Sequence, residues 1–216
     1  MADTKTLRVP ETAIARGKIA PAYIAHIVFK TPNFEKMKNW WCTLLEAKPA
    51  MQNDNLAFLT FDGEHHRVAI INTPALLPLP KMMRGVDHVA FTYRSLSDLL
   101  ATYTRLDNLG IKPVWAINHG PTTSLYYADP DGNKAELQVE NFESAEAMLE
   151  WAQTGEFSTN PIGVDFDPDV LNQRLNAGES EKELKKRPVS GKRKMSSVPV
   201  AITGRLHNFL ARLARL

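Results

Sequence analysis

The sequence predicts an α+β protein in which a β-α-β-β-β unit occurs twice. The segment His26-Ile27-Val28-Phe29 returns, slightly altered, as His88-Val89-Ala90-Phe91. Each copy begins with a short apolar strand and leads into a stretch of helical periodicity. A linker with three prolines, residues 73–84, separates the copies. We therefore expect two modules packed about a pseudo-twofold axis, with a site between them.

The first copy contains one helix and several strands in the expected order. They are a strand over 23–30, a helix opened by Pro32 and Asn33, a weak strand near Ala50, and strands over 56–61 and 67–71 that the turn Asp62-Gly63 joins. The helix carries its apolar residues near one face, which is typical of packing against a sheet.

The second copy repeats this order. It has a strand over 86–93, a helix over 96–109, and strands over 112–117, 124–128 and 134–139. Gly110 follows the helix, where a glycine commonly ends one. The turn Asp129-Pro130-Asp131-Gly132 precedes the last strand.

The rest of the chain divides by composition. We expect an N-terminal arm over 1–21, one domain over 22–142 made of modules 22–73 and 85–142, a helical extension over 143–187, and a basic tail over 188–216. The extension should hold helices over 144–154 and 170–186, with irregular chain over 161–168. The tail ends in an amphipathic pattern, which favours packing on its own body or on a second subunit, with an acidic membrane or partner as the alternative.

Bulk properties limit the function. A chain of 216 residues with 44% hydrophobic residues can build one compact core, and its single cysteine, Cys42, excludes an internal disulfide. No apolar run of about 18 residues or signal-peptide pattern is present, so a cytoplasmic protein is expected. Residues 1–180 hold 16 Lys and Arg against 22 Asp and Glu, whereas residues 181–216 hold 10 against 2. The acidic body, residues 1–180, argues against a nucleic-acid-binding surface there, and no nucleic-acid partner is expected.

Two histidines and a glutamate lie on strands of the repeat. When His26, His88 and Glu136 point to one face, their apolar neighbours point to the other. Burying Glu136 unpaired would cost several kcal/mol, about 2–7 on transfer scales, and a divalent cation would remove that cost. Two histidines and one carboxylate with open positions are typical of non-heme Fe(II) oxygenases, although zinc accepts the same ligands. For a single histidine, a hydrogen-bonded core residue is the simpler interpretation.

These motifs resemble a known family. The His-x-Val/Ala-Phe strands and the turn Asp129-Pro130-Asp131-Gly132-Asn133 before Glu136 are similar to the vicinal oxygen chelate superfamily, over roughly residues 22–142. Within it, the chain is most similar to one-domain type I extradiol ring-cleavage dioxygenases. The resemblance implies a curved mixed sheet around a metal site, Fe(II) with Mn(II) as the other candidate, a catechol-type diol and O2 as substrates, and a homo-oligomer.

The resemblance also implies catalytic residues. His66 matches the acid–base histidine of the family, although the longer linker leaves His65 open as the alternative. Tyr126 lies ten residues before Glu136, where the family places a tyrosine that hydrogen-bonds the substrate. His119 resembles a histidine near the substrate oxygen, with a shorter spacing to Tyr126 than is common.

Other functions remain open on the same fold. If Asp62-Gly63 corresponds to Asp131-Gly132, then Arg67 occupies the place of Glu136, and the fourth metal ligand of glyoxalases is missing. If the alignment of the two copies is shifted by one residue, His66 occupies the place of Glu136 instead. The alternatives are therefore a glyoxalase-like isomerase, a metal-dependent thiol transferase, or a non-catalytic binding module.

Overall fold

A computed structural model describes residues 23–77, 85–199 and 202 of the chain. The first copy forms β1 (Ile27–Thr31), α1 (Phe34–Leu45), β2 (Lys48–Asn53), β3 (Leu56–Thr60) and β4 (Val68–Asn72). Its sheet has the order β1-β4-β3-β2, in which β1 and β4 are parallel and the other pairs antiparallel. The predicted unit, including the weak strand near Ala50, is confirmed. The edge strand β2 is exposed along its whole length, and its pairing with β3 shifts register between Pro49 and Met51.

The second copy forms β5 (His88–Tyr93), α2 (Leu96–Asn108), β6 (Trp115–Asn118), β7 (Thr122–Ala128) and β8 (Lys134–Glu140). Its sheet has the order β5-β8-β7-β6-β9, where β9 (Val164–Asp165) comes from beyond the repeat. Helix α2 begins at the cap Ser95, whose side chain accepts a hydrogen bond from the Asp98 amide. It ends before Gly110, which adopts a left-handed φ of 76°, as predicted.

The strands of the second sheet separate an apolar face from a polar one. On β8, Ala135, Leu137 and Val139 are buried and belong to a core shared with α1 and α2. The alternate residues, Glu136 among them, therefore point to the opposite face of the sheet. This alternation confirms the α+β architecture and leaves the face opposite the helices available for chemistry.

Trp41 joins the two copies. Its side chain is 0% exposed, and its ring lies 4.9 Å from that of Phe29 and 6.0 Å from that of Phe91. The indole Nε1 donates a hydrogen bond of 3.3 Å to Asp129 Oδ2 in the turn before β8. One side chain of α1 thus contacts the first strand of each module and fixes the turn that leads to Glu136.

The extension is a series of short elements. They are α3 (Ala145–Gln153), α4 (Glu156–Thr159), β9, α5 (Pro168–Asn176), α6 (Glu181–Leu184) and a 3-10 helix (Met195–Ser197). The predicted single helix over 170–186 is wrong, because Gly178 turns the chain at a φ of 91° between α5 and α6. The predicted irregular stretch 161–168 contains β9. The predicted arm and the amphipathic end of the tail lie outside the described residues.

None of the helices formed by the described residues is long and apolar enough to cross a membrane.

Replacing Trp41 should weaken the junction of the modules. We expect Trp41→Ala to lower the free energy of unfolding by about 3–5 kcal/mol, because a buried ring and its contacts are lost. Trp41→Phe should cost less, since only the hydrogen bond to Asp129 and part of the ring disappear. Urea unfolding checks this, with Leu109→Ala, at an exposed position, as the control that should stay within about 0.5 kcal/mol of wild type. A Trp41→Ala protein as stable as the control would show that the junction does not depend on this side chain.

Candidate active site

A row of side chains crosses the polar face of the second sheet. In the strand register, Ala90 faces Glu136, Glu136 faces Tyr126, and Tyr126 faces Trp115. Directly paired residues lie on the same face of a sheet, so these four are neighbours. His88 lies two residues before Ala90 and shares this face. The sheet therefore gathers a carboxylate, a phenol and an imidazole from β8, β7 and β5.

Glu136 and His88 form the centre of this row. The distance from His88 Nε2 to Glu136 Oε2 is 3.0 Å, and the carboxylate side chain is only 6% exposed. Burial opposes ionisation of Glu136, but hydrogen bonds from His88, Ser124 and Tyr126 hold its pKa below the usual range. The hydrogen bond to Glu136 in turn raises the pKa of His88. The site thus holds a buried, ionised carboxylate beside a partly exposed imidazole.

Tyr126 and His119 are coupled on the same face. The His119 Nε2 atom lies 3.0 Å from the Tyr126 hydroxyl oxygen, and its Nδ1 faces the Ile162 carbonyl at 2.5 Å. Because a carbonyl only accepts, Nδ1 carries the proton and Nε2 is an acceptor for the Tyr126 hydroxyl. Burial raises the pKa of Tyr126 and lowers the pKa of His119. Tyr126 is therefore a neutral phenol whose single hydroxyl proton can be donated either to His119 or to Glu136.

His66 lies in a separate cluster on the first sheet, just before β4. Its side chain is buried, and its ring centroid lies 4.3 Å from that of His26 and 4.4 Å from those of Phe58 and His65. The Nδ1 atoms of His65 and His66 are within hydrogen-bond distance. Burial, followed by the charges of His26 and His65, lowers the pKa of His66. His66 is thus a neutral imidazole whose Nδ1 is engaged and whose Nε2 is the remaining polar atom.

The structure brings the predicted site residues together in two groups. His88, Glu136, Tyr126 and His119 form one, and His26 and His66 form the other. In the part of the chain that the structure describes, no three histidine, cysteine or acidic side chains lie close enough to hold one ion. The pair of His88 and Glu136 nevertheless offers a nitrogen and a buried anionic oxygen side by side, which suits a divalent cation. His26 is exposed, and its ring contacts that of His66 rather than the pair of His88 and Glu136.

The register corrects one detail of the sequence comparison. Val28 faces Ala69 between β1 and β4, as Ala90 faces Glu136 between β5 and β8. Because Val28 and Ala90 correspond in the repeat, Ala69 occupies the place of Glu136, and the prediction for Arg67 is wrong. The alternative slip by one residue, which would put His66 at this place, is wrong as well. An alanine has no donor atom, so the first module supplies no carboxylate equivalent here.

Two features near the site are absent from the sequence predictions. Asp87 Oδ2 lies 2.8 Å from His88 Nδ1, for which the Asp-His dipeptide is the only signal in the sequence. A C-terminal segment, described over residues 188–199 and at 202, also reaches the polar face, where Val198 packs with Ile162, Trp115, Ile117 and Tyr126. No local pattern foretells this contact, because it joins residues far apart in the chain.

Two dioxygenases are similar to this chain over most of their length. The chain is 46% identical over 155 residues to biphenyl-2,3-diol 1,2-dioxygenase 2 of Rhodococcus globerulus, covering 71% of this chain and 82% of that protein. It is 40% identical over 163 residues to biphenyl-2,3-diol 1,2-dioxygenase 3 of the same organism, covering 74% of this chain and 86% of that protein.

A solved structure shows the same fold. The glyoxylase/bleomycin resistance protein/dioxygenase domain from Frankia sp. EAN1pec aligns with a TM-score of 0.50 at 16% identity, covering 58% of this chain and 96% of that chain. The family model that describes the Glyoxalase/Bleomycin resistance protein/Dioxygenase superfamily matches residues 23–137. The match covers strands β1 to β7 and the first part of β8, whereas β9 lies beyond it. The chain belongs to the Glyoxalase/Bleomycin resistance protein/Dioxygenase superfamily.

Proposed function

We propose that this protein is an extradiol ring-cleavage dioxygenase, which opens a catechol-type aromatic ring by inserting both atoms of O2. The observation that carries the proposal is the identity of 46% and 40% to two dioxygenases named for biphenyl-2,3-diol, over more than four fifths of each. The buried Glu136 beside His88 and Tyr126 supports it, because the pair combines an anionic ligand with a phenolic donor.

The relationship to these dioxygenases implies a catalytic metal ion. We take this ion to be Fe(II), with Mn(II) as the other candidate, and its ligands to be His26, His88 and Glu136. When bound, such an ion orients both reactants and passes electron density between them. Ala69 at the place equivalent to Glu136 supports a set of three protein ligands, which leaves open positions for the diol and O2.

His66, Tyr126 and His119 are proposed to transfer protons and to orient the substrate. The neutral imidazole of His66 suits a base that accepts a proton from a substrate hydroxyl and later returns it, because burial lowers its pKa and so favours the form with one ring nitrogen free to accept a proton. The Tyr126 hydroxyl suits a hydrogen-bond donor to an oxygen on which charge develops. His119 Nε2 lies 3.0 Å from that hydroxyl and fixes its position, and the hydroxyl proton would turn from His119 to the substrate oxygen.

Replacing His66 should reduce turnover without removing the metal. We expect His66→Phe to consume O2 with biphenyl-2,3-diol or catechol about 10²–10⁴-fold more slowly than wild type, because the acid–base group is lost. His65→Phe is the matched control at the neighbouring exposed position and should lose about 10-fold or less. An oxygen electrode measures both rates, and metal analysis should give equal occupancy. A larger loss in His65→Phe would assign the acid–base role to His65, and no O2 uptake by wild type with either diol would refute the proposed activity.

Replacing Glu136 should remove the metal itself. Glu136→Ala deletes the only carboxylate of the proposed ligand set, so we expect metal content after anaerobic reconstitution to fall by about 10-fold or more. Glu140→Ala removes an acid from the same strand and face, and this control should keep full occupancy. Elemental analysis checks both variants. Full occupancy in Glu136→Ala would exclude Glu136 as a ligand.

Three histidines should titrate at different pH in the metal-free protein. The imidazole of His88 should titrate above 6.5 and those of His66 and His119 below it, by proton NMR. Because the pKa of His88 is raised on folding, its partnership with Glu136 stabilises the protein at pH below 6.5 and is lost as the pH rises through the raised pKa. Glu136→Gln should bring the pKa of His88 back toward 6.5 and leave that of His66 unchanged. A titration of His88 below 6.5 in wild type would contradict the pairing.

A further inference from the structure

The second nitrogen of His88 is held by a carboxylate outside the proposed ligand set. Asp87 Oδ2 accepts a hydrogen bond from His88 Nδ1 at 2.8 Å, while Nε2 points to Glu136. A carboxylate only accepts, so Nδ1 carries a proton toward Asp87, and Nε2 carries one toward Glu136 in the metal-free protein. A cation bound by Glu136 would replace the Nε2 proton, while Nδ1 keeps its own. A partner on the far nitrogen fixes the tautomer and ring orientation of a metal-binding histidine.

Asp87 is itself held by a lysine on the neighbouring strand. Lys134 faces His88 in the register of β5 and β8, and its Nζ donates to Asp87 Oδ1 at 2.6 Å. The lysine side chain is only 10% exposed, whereas that of Asp87 is 65% exposed. An exposed carboxylate alone would sample several rotamers, so the less exposed Lys134 is the group that limits where Asp87 can point.

The C-terminal segment binds the other side of this lysine. Lys134 Nζ also donates to the main-chain carbonyl of Ile202 at 2.8 Å. Ile202 packs against a buried cluster that contains Val198 and Trp115, and Arg193 pairs with Asp165 of β9 at 2.7 Å. The segment is thus fixed on the polar face of the second sheet, and its backbone completes the environment of Lys134.

The first module lacks this arrangement. Ala25 occupies the place of Asp87, and Arg67, the counterpart of Lys134, binds Asp62 at 2.9 Å and the carbonyls of Ile24 and Ala25. His26 contacts the ring of His66, without a carboxylate on the residue before it. The repeat therefore provides an internal comparison, because His88 has a carboxylate hydrogen-bonded to its Nδ1, whereas His26 has no carboxylate on the residue before it.

We propose that Asp87 and Lys134 are positioning residues that hold His88 in the orientation for metal binding, and that the C-terminal segment takes part through the Ile202 carbonyl. The inference rests on the proposed function only for the role of His88 as a ligand. It extends the site beyond residues 23–137, the part that matches the superfamily model, and assigns the extension a role in metal affinity.

Zn(II) affinity tests the proposal without measuring turnover. Zn(II), which accepts the same ligands, is titrated into the full-length metal-free protein against a fluorescent chelator. Loss of such a partner typically weakens metal binding about 10–100-fold, and we expect this loss for Asp87→Asn. Lys134→Met should weaken binding about 3–10-fold, and Lys134→Arg, which keeps the charge and a donor, should restore most of it. Asp62→Asn, which removes the acid that pairs with Arg67 in the first module, is the control and should stay within about twofold of wild type.

Two further measurements separate positioning from general destabilisation. In the Zn(II)-loaded protein, proton NMR should show a slowly exchanging Nδ1–H of His88 that is lost in Asp87→Asn, while that variant keeps the wild-type urea midpoint. Val198→Asp should detach the C-terminal segment and weaken Zn(II) binding as much as Lys134→Met, with no additional loss in the double variant.

Each outcome decides one part of the proposal. Zn(II) affinity within twofold of wild type in Asp87→Asn, or no Zn(II) binding by wild type, overturns it. Unchanged affinity in Val198→Asp removes the C-terminal segment from the proposal. A protein that cleaves no diol but loses Zn(II) affinity in Asp87→Asn would refute the proposed dioxygenase activity and support the positioning role.

Discussion

Strand β8 has to satisfy two opposite environments at once, and the rest of the site depends on this constraint. Its odd-numbered residues, such as Leu137, enter the core between the sheet and the helices. Because side chains alternate along a strand, Glu136 must point to the opposite face of the sheet. Once buried there, the carboxylate requires charged or polar partners, because an isolated buried charge is far too costly. His88, Ser124 and Tyr126 supply them from the two adjacent strands. The sheet register thus determines which groups meet.

The surroundings of His88 and His66 shift the pKa values of these two imidazoles in opposite directions. His88 shares a proton with an ionised carboxylate, which favours its charged form in the absence of metal. His66 is surrounded by Phe58 and two other imidazoles, which favour its neutral form. His88, which we propose as a metal ligand, and His66, which we propose as the base, therefore lie on different sheets in surroundings that favour different protonation states.

The sequence predicted the parts of the fold that depend on local patterns. The period of two in β5 and β8, the helical periodicity of α1 and α2, and Gly110 at the end of α2 are all visible in short windows. The break between α5 and α6 was missed, because the helical pattern on both sides of Gly178 outweighed a single glycine.

For the site, the sequence could identify residue types but not contacts. The repeat pointed to His26, His88 and Glu136, and the structure joins two of them directly. The equivalence of Arg67 with Glu136 failed because turn lengths in the two modules differ, and only the β1–β4 pairing fixes the register. The contact of Lys134 with Ile202 joins residues 68 positions apart, which no local pattern encodes.

The edge strand β2 has a consequence for assembly. A fully exposed edge is a template on which a foreign chain could extend the sheet. Here Lys48 places a charge at the start of the strand, Pro49 has no amide hydrogen to donate, and the register irregularity after it interrupts the regular spacing of donors and acceptors. The β2 edge of the first sheet is consequently protected from intermolecular strand addition, and a subunit that associates at this edge is expected to meet side chains rather than to continue the sheet.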